Sequence, residues 1–446
     1  MKPIGALMVG AVLLAVACGP SGGQASAPGS AGGSAAASSA PAGSAGSPAT
    51  GEKVTLRIES WRSEDLALWQ DKILPAFEKQ HPDIDVEFTP TAPDQYDPAL
   101  RSKLEGGTAG DLIVCRPFDL SLKHFQEGFL APLNDLKGLE NFDAVAKSGW
   151  STDDGQTTFC VPMASVIHGF IFNADAFAEL GLQKPTTEDE FFTLLDKIKA
   201  SGKYTPLALG TVDTWTEAAM GFNNIGPNHW HGEDGRMGLI KGTKKFSDPE
   251  FTSTWDTLAK WAKYMPDGFE SVSYSDTQNL FTIGRAAIFP AGSWEITGFR
   301  QQAQFKLGAF RPPVPKAGDK SYISDHIDIA IGMNARTPHP QQARTFLEWV
   351  AGEEFASLYS NALPGFFSLS KFQVTLQDEL AQEFVSWRKD AGSTIRVADQ
   401  ILSRGEPSTA NEIGLVTAEV IKGKLTPAAA GERLQKELDG WYKPGG

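Results

Sequence analysis

The sequence predicts an α/β fold large enough for two lobes. Three observations carry this. Strand-like runs alternate with amphipathic helical stripes, one compact apolar run reads as a strand covered on both faces, and Lys53 to Gly446 is long for one domain. Val54–Ser60 alternates through Val54, Leu56 and Ile58, the period of a short strand. Leu66, Trp69, Ile73 and Phe77 then recur at helical spacing behind Ser63, the expected N-cap. Pro75 inside that pattern predicts a kink or an early end. Ile84, Val86 and Phe88 alternate as a second strand, and Tyr96, Leu100 and Leu104 form a helical stripe closed by Gly106-Gly107. Asp111–Val114 is the compact apolar run, as a parallel sheet with two covered faces requires. Thr187-Glu188-Asp189-Glu190 is a capping box opening a helix with Phe191, Leu194, Leu195 and Ile198 on one face. Thr426-Pro427 starts a last helix with proline at its first position and Leu434, Leu438 and Trp441 facing inward.

The chain begins with a different kind of signal. Lys2 supplies one positive charge, an apolar run follows from Ile4 to Ala17, and the run ends in Leu14-Ala15-Val16-Ala17-Cys18-Gly19. That run is shorter than the ~20 residues a membrane-spanning helix needs, so residues 1–17 read as a signal peptide. Cys18 behind small residues resembles the lipobox of bacterial lipoproteins, which implies cleavage before Cys18 and a lipid on its new N-terminus. The alternative is an ordinary secretory peptide with an incidental cysteine. From Pro20 to Thr50 the chain is almost wholly Gly, Ser, Ala and Pro, without a charge or a large apolar residue. Such a segment cannot offset its ordering entropy, so residues 18–53 are expected to be a disordered tether. As a flexible coil its ends should lie on the order of 30 Å apart. The expected location is extracytoplasmic, with the lipid as sole membrane anchor, in a periplasm or on the outer face of the cell membrane.

Composition excludes several functions. A formal charge of −14 argues against nucleic acid and anionic membrane surfaces as partners. With Cys18 assigned to lipid, Cys115 and Cys160 remain: one disulfide in an oxidising compartment, or two buried thiols. There is no CxxC pair and no HExxH, and the bare His229-Trp230-His231 is a weak metal signal, so no metal is expected. No Gly-rich phosphate fingerprint follows a strand, and the folded part has no GxSxG. Neither a cofactor nor an enzymatic activity is expected.

Several blocks, taken in order, carry a resemblance. They are Leu56-Arg57-Ile58-Glu59-Ser60-Trp61 followed by Ile73-Leu74-Pro75-Ala76-Phe77-Glu78, and then Gly110-Asp111-Leu112-Ile113-Val114. Val161-Pro162 leads to Phe172-Asn173-Ala174-Asp175-Ala176-Phe177 and Leu180-Gly181-Leu182. Phe281-Thr282-Ile283-Gly284-Arg285-Ala286-Ala287-Ile288, Ala291-Gly292-Ser293-Trp294-Glu295, Phe346-Leu347-Glu348-Trp349-Val350 and Leu425-Thr426-Pro427 complete the order. From Val54 to Tyr442 the chain resembles family 1 extracellular solute-binding proteins, the receptors of carbohydrate ABC importers, related to maltose-binding proteins. The resemblance implies a two-lobed periplasmic-binding-protein fold over residues 54–446, with a ligand cleft between lobes that close by hinge bending. It places one lobe at about 54–164 and 329–370, the other at about 169–325 and 371–446. Crossings fall near Ala164–Gly169, Asp325–Ile329 and Ser370. The implied partners are a carbohydrate and the permease subunits of an ABC transporter, and the implied state is a monomer.

A sugar offers apolar C–H faces and a rim of hydroxyls, so its site needs aromatic walls and polar or charged hydrogen-bonding groups. Of eleven tryptophans, Trp69, Trp349 and Trp441 sit on helical stripes and read as core. Trp61 ends the first strand, and Trp294 matches an aromatic that the family often places beneath the sugar. Trp215 and Trp230 lie in stretches rich in Gly, Asn and Thr. These four are the aromatic candidates, with simple packing as the alternative. The polar candidates are Ser63, Glu64, Arg116, Asp119, His168, Asn223, Asn224, Glu295, Asp325 and His326, all expected near strand ends or hinge segments, and Arg404, entering from the second lobe. For the charged ones a solvated loop or a hinge salt bridge is the alternative. Phe366 and Phe367 are read as a cleft lid or as core. A carbohydrate-active enzyme would need a carboxylate pair flanking a glycosidic bond, for which Glu64, Asp119, Glu295 and Asp325 lack any surrounding signature. A receptor for a peptide, polyamine or phosphorylated polyol is the other rival; mixed charge with many aromatics favours a neutral polyhydroxylated ligand.

Overall fold

The computed structural model describes residues 53–93 and 95–444. The expected signal peptide, lipidated Cys18 and most of the tether lie outside the described residues. Ten strands organise the rest: β1 (Val54–Ser60), β2 (Ile84–Pro90), β3 (Leu112–Cys115), β4 (Cys160–Asn173), β5 (Thr205–Leu207), β6 (Ala286–Gly292), β7 (Leu307–Phe310), β8 (Tyr322–Met333), β9 (Phe367–Ser368) and β10 (Gly392–Thr394). They follow one path, β2-β1-β3-β8-β4-β6-β5, with β10 beside β8 and both β7 and β9 beside β4.

Two hydrophobic cores lie along that path. The first gathers Leu56 through Val166 and Ile327 through Phe366. The second gathers Ile167 through Ile323 and Phe367 through Leu438. The changeovers fall inside β4, inside β8 and at β9, so each lobe is built from separated stretches of chain. In the first lobe β1 runs parallel to β2 and β3, whereas β8 pairs antiparallel with β3. In the second, β4 pairs antiparallel with β6 and β7, and β5 runs parallel to β6. All fourteen residues of β4 are buried, which explains a mainly apolar sequence in which Ser165, His168 and Asn173 are the polar members.

Local structure follows the sequence with two instructive departures. Thr187 caps Glu188–Ser201 with a full capping box, and Thr426 caps Pro427–Trp441 by accepting from the Ala429 amide. Ser63 is not the cap expected of it: a 3₁₀ turn begins at Ser63 itself, and its hydroxyl points towards Glu64. The segment after it is broken into a short helix Leu66–Leu68, a π turn Trp69–Ile73 and a helix Leu74–Glu78 with Pro75 in its first turn. The wider π turn accommodates the missing proline N–H without ending the amphipathic run, and Trp69, Ile73 and Phe77 stay buried.

Cys115 and Cys160 form a disulfide that ties the end of β3 to the start of β4 across the intervening β8. Gly332 of β8 lies beneath it, where an added Cβ would come within 2.7 Å of the Cys160 sulfur and 3.1 Å of the Cys115 sulfur. Glycine is required there because the bridge occupies the space of a side chain. Closing 45 residues of chain should stabilise the first lobe by about 2–4 kcal/mol. The Cys115→Ser/Cys160→Ser variant should lose that much in denaturant unfolding, and an unchanged midpoint and slope would contradict this role.

Candidate functional site

The first lobe presents the segment that follows β1 and the segment that follows β3. Parallel strands aim their C-terminal ends at one edge, which places these loops together. Trp61 is buried there, its ring 5.6 Å from Tyr96 and covered by the Arg116 guanidinium at 4.5 Å from its centroid. Arg116 is held in turn by Asp97 at 3.0 Å. Arg62 pairs with Asp65 at 2.7 Å and Glu64 at 2.6 Å and lies 4.7 Å from the Phe366 ring centroid. Burial alone would lower its pKa, but these two acids outweigh burial and keep the guanidinium charged. Ser63 and Glu64 are exposed on the same lip.

The second lobe answers with the end of β6. Trp294 packs against both cores, so it stands between the lobes. Its indole N–H donates to the Tyr274 hydroxyl at 3.2 Å, and Tyr274 donates to the Glu295 carboxylate. Gln278 adds a second donor to Glu295 at 2.9 Å. Trp215 is 45% exposed and meets the Tyr274 ring edge-on at 4.7 Å, so an aromatic row leads from solvent to Trp294. Burial pushes the Glu295 carboxyl up to about 7; Tyr274, Gln278 and Arg62 oppose the shift, and Glu64 adds to it. Arg62 and Glu64 therefore act on Glu295 from the opposite lobe.

The hinge strands supply the floor. His168 on β4 meets Trp294 edge-on at 5.2 Å and accepts a 3.4 Å hydrogen bond from Arg396. Burial, then the Arg396 charge, hold His168 far below its usual pKa, so it is neutral at pH 7. His326 on β8 bonds Asp328 at 3.0 Å, and its other ring nitrogen lies 3.3 Å from Asp399 without hydrogen-bond alignment. Burial tends to raise the Asp328 carboxyl, but His326, Arg396 and Arg62 together bring it below its usual value.

The remaining candidates are placed elsewhere. Trp230 is 1% exposed within the second core, between Phe222 and Phe251, so packing replaces the expected ligand contact. Asn224 donates to the Gly169 and Met220 carbonyls, and Asn223 accepts from the Val397 amide; both serve the backbone. Phe366 and Phe367 are buried on either side of the third crossing, as core and not as a lid. Asp325 pairs with Arg388 at 2.6 Å beside the strand crossing. Arg404 reaches from the second lobe to Asp119 at 2.6 Å and Asp153 at 2.7 Å on the first, above a cavity of 410 Å³. Among the described residues no cluster of three or more His, Cys, Asp or Glu could hold a metal ion. Sequence reasoning missed Arg62, Tyr274, Gln278, Arg396 and Asp399; Arg62 alone carried a signal, as the neighbour of Trp61.

Residues 60–356 match the family model described as bacterial extracellular solute-binding protein, a span that runs from the end of β1 through β8. The chain belongs to the bacterial extracellular solute-binding protein family. A curated relative, the multiple sugar-binding protein of Streptococcus mutans serotype c, is 26% identical over 319 residues, covering 69% of this chain and 73% of that one. The solved chitin oligosaccharide binding protein superposes with a TM-score of 0.73 at 21% identity, covering 87% of this chain and 99% of that chain. The solute-binding protein RafE in complex with raffinose gives 0.72 at 22% identity, with 87% and 99% covered. Among the described residues no helix is long and apolar enough to cross a membrane.

In this solute-binding protein Glu295 should leave a pH signature. An acid whose folded-state pKa is raised contributes stability fully present below its unfolded value, and that stability is lost as pH rises through the folded value. For Glu295 the window runs from 4.5 to about 7. The wild type should therefore lose, relative to Glu295→Gln, of order 3 kcal/mol between pH 4 and pH 8. Glu217, raised by burial to about 8, is common to both proteins and drops out of the comparison. Denaturant unfolding of both at each pH checks this, and a stability difference independent of pH would refute it.

Proposed function

We propose that the protein is an extracytoplasmic receptor that captures a sugar between its lobes and delivers it to the permease of an ABC importer. One observation carries the reading. Trp294 stands between the two lobes within a row of aromatics, beside Glu295, whose carboxylate is fixed by Tyr274 and Gln278, and Arg396, which is hydrogen-bonded to His168. A flat ring gives a pyranose face its apolar contact, while fixed donors and acceptors read its hydroxyls without requiring a charged ligand. The relatives' names point the same way: one is a multiple sugar-binding protein, one binds chitin oligosaccharide, and one is complexed with raffinose.

Under this reading Trp61, Trp294 and Trp215 supply ring faces or edges. Ser63, Glu64, Arg116, His168, Glu295 and His326 border the sugar, and the newly located Arg62 and Arg396 join them. Residues 54–446 form the binding domain, and residues 1–17 and 18–53 serve as signal and tether. Cys18 carries a lipid anchor, and the protein works as a monomer. No catalysis is assigned. Glu64, Asp119, Glu295 and Asp325 each already hold a partner, respectively Arg62, Arg404, the Tyr274–Gln278 pair and Arg388.

Thermal unfolding of residues 53–446 against a panel of sugars, peptides and polyamines tests the reading. A ligand that binds only the folded state adds about 2.7 kcal/mol at a hundred times its dissociation constant. One sugar class should raise the midpoint and be recovered intact. A shift with a peptide or polyamine alone would overturn the sugar assignment, and a cleaved sugar would overturn the absence of catalysis. For the sugar that binds, Trp294→Ala should weaken affinity about tenfold in calorimetry, the scale of one lost aromatic contact. Unchanged affinity would remove Trp294 from the site.

A further inference from the structure

Arg404 was a candidate ligand contact, and its geometry points to something else. We infer that Arg404 with Asp119 and Asp153 is a latch across the cleft lip, which sets the closing equilibrium without touching the ligand. This rests on the reading of the cleft as a solute site that closes.

The chemistry of the group comes first. Arg404 Nε donates to Asp119 at 2.6 Å, and its two terminal nitrogens make a forked pair with Asp153 at 2.8 and 2.7 Å. Three charge-assisted hydrogen bonds are thus spent on two carboxylates, one from each guanidinium nitrogen, so the forked edge is taken up by Asp153 and not by a sugar. Both acids belong to the first lobe. Asp119 opens the helix Asp119–Gln126, whose Leu122 lies in the first core, and Asp153 sits in a turn between the buried Trp150 and Phe159. Arg404 belongs to the second lobe. It follows Leu402, which is buried in the second core, and precedes Gly405, packed so close to Trp441 that a Cβ would lie 1.9 Å from the indole.

The space beneath explains why the bridge matters. The cavity of 410 Å³ is lined by Phe118, Asp119 and Leu122 from one lobe and Gln400, Ile401 and Arg404 from the other. Here the lobes do not interdigitate as they would in a packed core, so the ion pair spans a gap that side-chain packing does not close. Both approaches to it are also strained. Phe118, immediately before Asp119, has φ 62°, and Gln400, four residues before Arg404, has φ 66°, a region costly for residues with a side chain. Strain held on both sides of one contact is expected where that contact has a role beyond stabilising either lobe. Burial raises the Asp119 carboxyl and Asp399 and Asp153 add to the shift, while Arg404 opposes it, so the arginine is the cation that offsets the acids at this contact.

An ion pair of this exposure is weak in absolute terms, and a hinge equilibrium needs little to shift it. Affinity scales with the fraction of molecules competent to close, so the expected effect of losing the latch is about three- to tenfold. Small-angle X-ray scattering of protein stripped of ligand tests the idea independently of which solute binds. Arg404→Ala and Asp153→Ala should both enlarge the radius of gyration relative to wild type, and raising the salt concentration should enlarge only the wild type. Superimposable scattering from wild type and variants would overturn the latch while leaving the sugar reading intact. The second arm is a double-mutant cycle on the affinity for whichever panel solute binds. Arg404→Ala should cost nothing further once Asp119 and Asp153 are both alanine. A further loss in that background would return Arg404 to direct ligand contact, and thermal midpoints of the solute-free variants distinguish either result from simple unfolding.

Discussion

Everything in this molecule hangs on the pairing of β4 with β8. The two strands run antiparallel from Cys160 opposite Gly332 to Ile167 opposite Asp325, and each carries side chains of both cores. A sheet strand that serves two cores cannot slip by one residue, since that would turn every apolar side chain to the wrong face in both lobes at once. The register is nevertheless irregular at one place, around Pro162, Ala164 and Ser165, where β9 also pairs with β4. A bulge bends and twists a strand without dissolving the ladder on either side. The irregularity thus lies beside the point on β4 where the strand passes from one core to the other.

The cleft inherits its composition from that layout. His168, His326 and Asp328 lie on the paired strands themselves, while Trp61, Arg116 and Trp294 lie at or just beyond strand ends that converge on the crossing. Charges brought into such a place need compensation, and most of them have it. Arg62 is matched by Asp65 and Glu64, Arg116 by Asp97 and Arg388 by Asp325, and Asp328 is hydrogen-bonded to His326. Holding these groups in fixed directions lowers the ordering cost of binding and leaves little net field to demand a charged solute. Two groups depart from this: Arg396 faces His168 and the Trp294 ring, and Glu295 is a buried carboxyl pushed up to about 7.

The legible part of the fold was the part written in periodicity. The alternation of β1 and β2, the capping box at Thr187 and the Thr426-Pro427 start all act within a few residues, and each stands as read. The run from Cys160 to Asn173 had no such rhythm, because burial on every side makes inward and outward positions alike. The cleft was half legible. Trp61 and Trp294 sit at strand ends, where position follows from topology. Tyr274, Arg396 and Asp399 come from a helix and a loop remote in sequence, and nothing local marks them for the site. Trp230 misled because a loop-like composition hid a tryptophan packed between Phe222 and Phe251. Arg404 looked like a ligand group because sequence cannot say which carboxylates face an arginine across a gap.

The most direct measurement is a crystal structure of residues 53–446 with the sugar that most raises the unfolding midpoint. The account predicts a pyranose ring against Trp294, hydrogen bonds to it from both lobes, and Arg404 still engaged with Asp119 and Asp153 outside the ligand's reach. Sugar density on an outer face of either lobe, away from the β4–β8 crossing, would contradict it.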